Sequence, residues 1–235
     1  MDWKEWHRHF AANRDRARPD VDVEGIPKEM RAVLAASLGR FQLGESGEGR
    51  IAQEVNQVRW PEVDDDWRAA IRLFVAEEGR HGAILGQAVA ALGGRTPKRH
   101  ATEVLFRRGR RLLGVRTKLL VLLAAEVISL GAYGALIEGL PPCGLRTALE
   151  QVCEDEKAHL AFHTDFFRAT TKTSAARRAL RVGWTAIATA AVGTVLVDHA
   201  PLWRTLGTPP GRLATRWRGL IADVGRAIAP LGSKA

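Results

Sequence analysis

Cysteine, tyrosine and alternating β-branched stretches are scarce in this sequence, and each scarcity excludes a class of protein. The two cysteines, Cys143 and Cys153, are too few for a disulfide framework and are not spaced as a zinc-binding pair. Tyrosine occurs once and strand-like alternation is rare, so a β-rich fold is not expected. Alanine, leucine, arginine and glutamate dominate instead, which favours helices.

The first ten residues, MDWKEWHRHF, lack the apolar core of a secretory signal. We therefore expect a cytoplasmic protein, with peripheral attachment to a membrane as the alternative. Hydrophobic residues make up 46% of the 235 residues, which is enough for one buried core.

Prolines, glycines and acidic turns divide the chain into predicted helices. Residues 1–26 are expected to form an N-terminal amphipathic arm, in which Trp3, Trp6 and Phe10 share a helical face. The spacing of breakers predicts an all-α fold with a four-helix bundle over residues 27–172. Two further helices are expected in a C-terminal extension, residues 173–235, packed on the bundle. The bundle helices are predicted at about 27–58, 64–92, 102–138 and 145–170.

Two apolar runs need an explanation. The run from Leu119 to Ile137 is long enough to span a membrane. Glu126 lies within it, and because a carboxylate inside lipid is expensive, we interpret the run as the central helix of the bundle. Residues 182–197 are also apolar but rich in alanine, threonine and glycine. We interpret them as a packed helix, with membrane contact as the alternative.

The same Glu-x-x-His motif occurs on two predicted helices. Glu78 and His81 form one copy, and Glu156 and His159 form the other. A separation of three positions places both side chains of a motif on one helix face. A single copy is a weak signal, usually surface charge. Here, however, each copy follows another glutamate on a preceding helix at an equal separation, from position 48 to 78 and from position 126 to 156.

These residue types together indicate a metal centre. A carboxylate buried in an apolar run, as expected for Glu126, must be protonated, paired or bound to metal. Four carboxylates neutralise two divalent ions, and mixed carboxylate and imidazole ligands suit iron or manganese. The predicted metal ligands are Glu48, Glu78, His81, Glu126, Glu156 and His159.

Two acidic neighbours bear on this ligand set. Glu45 lies one helical turn before Glu48 and could replace it as the ligand from the first bundle helix. The equal spacing of the two half-sites favours Glu48. Glu77 adjoins Glu78 but points to another face, so we expect it to be solvated.

Two further residues have more than one interpretation. His163 lies one turn beyond His159 on the same face. We expect it to hydrogen-bond a ligand, with direct metal binding or a simple polar patch as alternatives. Tyr133 lies two turns after Glu126 and is a candidate catalytic residue that would donate a hydrogen bond near the metals. Ordinary core packing explains Tyr133 equally well.

The motif set resembles the carboxylate-bridged di-iron branch of the ferritin-like superfamily, over about residues 30–170. In that branch, two helices each supply a glutamate and two others each supply Glu-x-x-His. The strings EGRH (78–81), EVISLGAY (126–133) and CEDEKAH (153–159) are most similar to aldehyde-deformylating oxygenases. The resemblance implies a ferritin-like four-helix bundle that holds two iron ions, with manganese as the alternative.

The resemblance also implies a non-haem di-iron oxidoreductase or oxygenase, which activates O2 and oxidises a small apolar substrate. An external electron donor is expected, because no flavin or cysteine-cluster motif is present. One alternative is hydroxylation of tRNA or of a quinone-type lipid. Another is iron or peroxide handling as in ferritins and rubrerythrins, against which stand the basic charge and the lack of a CxxC pair. A homodimer is left open.

The net charge of +9 suits an anionic partner. A membrane surface, RNA and an acyl carrier protein all have the required charge, whereas a solvated arginine-rich surface explains the composition equally well. The basic residues cluster at Arg107, Arg108, Arg110 and Arg111, and again at Lys172, Arg177, Arg178 and Arg181.

Overall fold

The structure, a computed structural model, describes residues 2–45, 49–97 and 114–230, and within them the chain forms helices and no strand. The all-α prediction is therefore confirmed. The helices are α1 (Trp3–Asn13), α2 (Lys28–Glu45), α3 (Gly49–Glu54), α4 (Asp65–Ala91), α5 (Val115–Gly139), α6 (Gly144–Thr170), α7 (Ser174–Asp198), α8 (Ala200–Thr205) and α9 (Pro210–Ile228), with a 3₁₀ helix at Val55–Gln57.

Four long helices enclose the core. Helix α2 packs along α4, α5 packs along α6, and contacts between α4 and α6 join the two pairs. The α5–α6 connection is a short turn, which brings consecutive helices together as a hairpin. Large apolar side chains fill the space between the helices, among them Leu34, Leu38, Phe74, Phe162 and Phe166, all of which are fully buried.

The ends of α4 follow the sequence prediction. Asp64 is its N-cap and accepts a hydrogen bond from the backbone N–H of Trp67 at 2.9 Å. Asp65 and Asp66 occupy the first turn, where the helix dipole favours negative charge. Gly93, with φ of 79°, follows the last turn and allows the left-handed conformation that ends the helix.

One predicted boundary is wrong, and one helix was not predicted. The first predicted bundle helix, about 27–58, is helical at Lys28–Glu45 and Gly49–Glu54 and continues as the 3₁₀ helix Val55–Gln57, with residues 46–48 outside the described residues. The third does not run unbroken through residue 114, since Gly114 is extended and caps α5, which begins at Val115. Residues 98–113 lie outside the described part of the chain. The short helix α8 was not predicted; Pro201 stands in its first turn, a position where proline needs no hydrogen bond.

The N-terminal arm packs on the core, and its predicted helical face is confirmed. Trp3 and Phe10 are buried, and the ring of Trp6 packs on that of Phe162 with centroids 5.6 Å apart. The indole N–H of Trp3 donates to the carbonyl oxygen of Glu62 at 2.8 Å. The arm therefore belongs to the folded core.

Helix α7 packs on α5, and α9 packs on α5 and α6. Trp217 on α9 is fully buried and donates its indole N–H to the carbonyl oxygen of Val127 at 3.1 Å. A Cβ at Gly131 would collide with the indole ring of Trp217. Gly131 thus serves the close approach of α9 to α5.

Two helices, α5 and α7, are long and apolar enough to cross a membrane by length and composition. The apolar window of α5 is 78% buried inside the molecule, as for a central core helix. That of α7 is 22% buried: Trp184 and Ala188 face the core, whereas Val182 and Val197 are exposed. The interpretation of α7 as a packed helix is therefore right for one face only.

Candidate metal centre

Two facing helices bring both Glu-x-x-His motifs to one place. Helix α4 supplies Glu78 and His81, and α6 supplies Glu156 and His159; all four are buried. One ligand atom from each of the four can be chosen so that all lie within 4.8 Å of one another. The group could therefore hold a metal ion.

The glutamates lie between the two imidazoles. Nδ1 of His159 is 2.7 Å from Oε1 of Glu78 and 3.4 Å from Oε2 of Glu156. Nδ1 of His81 is 3.4 Å from Oε1 of Glu156 and 3.7 Å from Oε1 of Glu78. Each glutamate is thus close to both imidazoles, which is the position of a carboxylate that can bridge two ions.

Several polar atoms at the centre of this group have no hydrogen-bond partner among the described residues. They are Oε1 of Glu78, both carboxylate oxygens of Glu156, and Nδ1 of His81 and His159; the 2.7 Å contact between Oε1 of Glu78 and Nδ1 of His159 lacks hydrogen-bond geometry. Leaving a buried polar atom unpaired is costly, so such atoms need an explanation. Here they converge on one point, and each is an oxygen or nitrogen that can bind a cation. The donor set therefore fits a metal ion.

Glu126 joins the group from α5, as predicted. It is buried, and its Oε2 lies 3.7 Å from Nδ1 of His159. Burial, and then the neighbouring carboxylates of Glu156 and Glu78, raise the pKa of Glu126 well above its usual value. Without a metal, this carboxyl group favours the neutral form.

The carboxylate of Glu45 also lies at the group. Glu45 is the last residue of α2, and its Oε1 accepts a hydrogen bond from the hydroxyl of Tyr133 at 2.8 Å. Burial of the carboxylate and the charge of Glu78 raise the pKa of Glu45. Glu48, which equal spacing favoured, lies outside the described residues, so its role as a ligand stays a prediction.

The outer nitrogen of each imidazole is held by an acid from the opposite helix. Nε2 of His159 lies 2.9 Å from Oε2 of Glu77 on α4, and Nε2 of His81 lies 3.1 Å from Oδ2 of Asp155 on α6. Carboxylates in this position orient the imidazole and direct its other nitrogen at a metal. The expectation that Glu77 is solvated was wrong, because its side chain is 3% exposed.

Sequence reasoning missed this pair of outer acids, although a signal for them was present. An acidic residue immediately precedes the glutamate of both motifs, Glu77 before Glu78 and Asp155 before Glu156. Consecutive residues point about 100° apart on a helix. Because α4 packs against both α1 and α6, two adjacent positions on it can be buried at once.

Two arginines cover the outer acids. Arg80 pairs with Glu77 and lies 3.4 Å from Oδ2 of Asp155, and Arg16 from the segment after α1 also pairs with Asp155. Burial opposes the ionised form of Asp155, but its hydrogen bonds with His81 and Arg16 lower its pKa to about 2. The acids therefore stay ionised and keep the imidazoles oriented.

The imidazoles of the metal-free centre favour the protonated form. Burial opposes the charge of His81, but the carboxylates of Asp155, Glu156 and Glu78 raise its pKa to about 9. The pKa of His159 is raised well above its usual value, because Glu78 and other carboxylates outweigh the effect of burial. Protons on the two imidazoles thus balance part of the buried negative charge.

His163 and Tyr133 are both buried beside the centre. Nε2 of His163 lies 3.9 Å from Oε1 of Glu126, beyond hydrogen-bond length, and neither ring nitrogen has a partner in the described part of the chain. Burial and the charge of His159 lower the pKa of His163 to about 3, so the ring is neutral. Tyr133 supports Glu45, and burial raises its pKa, which keeps the hydroxyl protonated.

No model of a protein family, no curated protein and no solved structure matches the chain. The geometry itself defines the class of site, a buried carboxylate–histidine cluster that could hold a metal ion.

Proposed function

We propose that this protein binds two metal ions, iron foremost, within a ferritin-like four-helix bundle formed by α2, α4, α5 and α6. Each of these helices contributes one carboxylate to the cluster, Glu45, Glu78, Glu126 and Glu156 respectively. The two that also supply a histidine, α4 and α6, face each other across it. This distribution of ligands over four helices is the one that di-iron bundles use.

The distances support a division of roles among the carboxylates. Glu78 and Glu156, each near both imidazoles, would bridge the two ions. Glu126, which lies beside His159, and Glu45 would each bind one ion. Four ionised carboxylates would balance two divalent cations, so the occupied centre would be neutral in the protein interior.

The activity that this arrangement supports best is O2-dependent oxidation of a small apolar substrate, with electrons from an external donor. Bound iron would supply the reaction with O2. The protein would hold the ligands and exclude water: Phe74 stands edge-on to His159 and His163, with ring centroids 4.8 and 4.9 Å away. Tyr133 would fix Glu45 through its hydroxyl.

One observation carries this proposal. The unpaired oxygen and nitrogen atoms of Glu78, Glu156, His81 and His159 face one another in a buried site. A structural salt-bridge cluster would be expected to satisfy its buried atoms with hydrogen bonds. These atoms instead point to a shared cation.

The proposal is tested by anaerobic loading with Fe(II) followed by exposure to O2. We expect about two tightly held ions per chain and consumption of O2 only by the loaded protein. Iron content by elemental analysis and O2 uptake with an electrode measure the two quantities. Uptake of many ions per chain would favour iron storage, and binding without any reaction with O2 would contradict the oxidase proposal.

Paired variants at positions 45 and 48 decide the ligand from the first bundle helix. We expect Glu45→Ala to lose one of the two ions, because Glu45 shares the site with Glu78 and Tyr133. Glu48→Ala is expected to keep both. Metal content of the two purified variants measures the difference, and the reverse pattern would restore Glu48 as the ligand.

A further inference from the structure

A cleft of about 470 Å³ opens between α4 and the end of α1 with the segment that follows it. Four arginines line it, three from the segment after α1 and one from α4. Its apolar wall comes from Phe10, Leu73 and Ala76. The arginines are Arg14, Arg16, Arg18 and Arg80.

The positive charge of the cleft is only partly compensated. Arg16 and Arg80 pair with Asp155 and Glu77, as described above. Arg14 and Arg18 are exposed, and neither forms an ion pair or donates a side-chain hydrogen bond to any described residue. Asp15 is the remaining acid in the lining.

Two donor atoms at the cleft also lack a partner. Nε of Arg16 and Nε of Arg80 are buried and make no hydrogen bond to the described residues. The side chain of Arg80 is only 10% exposed. A buried guanidinium N–H is costly to leave unpaired, and a rotation of either side chain toward the cleft would let it donate to the oxygen of a bound anion.

We propose that this cleft is a binding site for a small organic anion. Its carboxylate or phosphate group would bind the arginines, whose planar forks suit both chemistries. Its apolar part would lie against Leu73 and Ala76. The volume is in the range of small-molecule sites, about 300–1,000 Å³, and exceeds what an inorganic ion alone requires.

The proposed anion site lies beside the candidate metal cluster. Glu77 lines the cleft and also accepts the hydrogen bond of His159, so an anion bound there would lie next to the group that orients a candidate metal ligand. The binding proposal itself does not depend on a metal. It can therefore fail or succeed separately from the proposed oxidase activity.

Calorimetric titration of the full-length protein at low salt tests the proposal. The probes are benzoate and phenyl phosphate, which differ in the acidic group, and inorganic phosphate, which has no apolar part. We expect at least one aromatic anion to bind more tightly than inorganic phosphate. The double variant Arg14→Gln/Arg18→Gln should bind that anion about tenfold more weakly.

Two further variants complete the test. Arg178→Gln/Arg218→Gln removes the same charge from exposed positions outside the cleft and should bind as the wild type does. Ala76→Glu places a carboxylate one turn before Arg80, where its negative charge should abolish anion binding. Because residue 76 is exposed, the substitution should not unfold α4. The proposal is overturned if neither aromatic anion binds, if inorganic phosphate binds as tightly, or if the cleft variants bind like the control.

Discussion

Replacement of Glu156 by alanine is expected to abolish binding of both proposed metal ions. Glu156 is fully buried, and its two oxygens each lie 3.4 Å from Nδ1 of a different imidazole. Loss of a bridging carboxylate takes a ligand from both ions and leaves excess positive charge in a buried site. The affinity should fall by more than the ~10–100-fold typical of changes to outer partners.

Comparison with Glu126→Ala makes this test specific for bridging. Oε2 of Glu126 lies 3.7 Å from Nδ1 of His159, at one side of the cluster, so its removal should release one ion and retain the other. Glu150→Ala, an exposed position on α6, serves as the control and should keep both ions. Metal content and helical circular dichroism are measured for all three variants. Equal metal content in Glu156→Ala and the control would refute the bridging role.

Helical spacing accounts for the part of the site that sequence reasoning predicted. Residues three apart on a helix share a face, and this rule alone places Glu78 beside His81 and Glu156 beside His159. The apolar setting of Glu126 predicted its burial, which the structure confirms. These predictions succeeded because each depends on a single helix and its pattern.

The predictions that depended on more than one helix had less support in the sequence. Equal spacing between the half-sites favoured Glu48, but equal spacing is not a physical constraint, and Glu48 lies outside the described residues. To predict that Glu77 is buried, one would have to know that α1 packs on α4 and that Arg80 pairs with Glu77.

The arm formed by α1 was predicted as a separate amphipathic segment, yet it contributes to the surroundings of the candidate metal centre. The ring centroids of Phe10 and His159 are 5.8 Å apart. Arg16 pairs with Asp155, and the carbonyl oxygen of Asn13 accepts a hydrogen bond from Arg80 at 2.6 Å. The arm thus closes the side of the cluster where the outer acids lie.

Metal affinity is expected to rise steeply with pH, because metal ions and protons compete for the same buried groups. In the metal-free protein His81, with a pKa of about 9, and His159, with a raised pKa, both carry a proton at neutral pH. Each must lose it to bind a metal through nitrogen. Glu45 and Glu126, whose pKa values are also raised, would add up to two more protons.

The overall affinity for two ions should therefore increase by at least about 100-fold for each pH unit between roughly 6.5 and 8. Calorimetry in two buffers of different ionisation enthalpy counts the protons released. The stability of the metal-free protein should instead fall as the pH rises. The pKa of His81 is about 9 in the folded state, above its ordinary value of 6.5. Protonation of His81 therefore stabilises the fold fully below pH 6.5, and this stabilisation is lost as the pH rises through 9. Metal binding that releases no proton, with the same affinity at pH 6.5 and 8, would contradict the inference that protonated imidazoles of the metal-free protein become ligands.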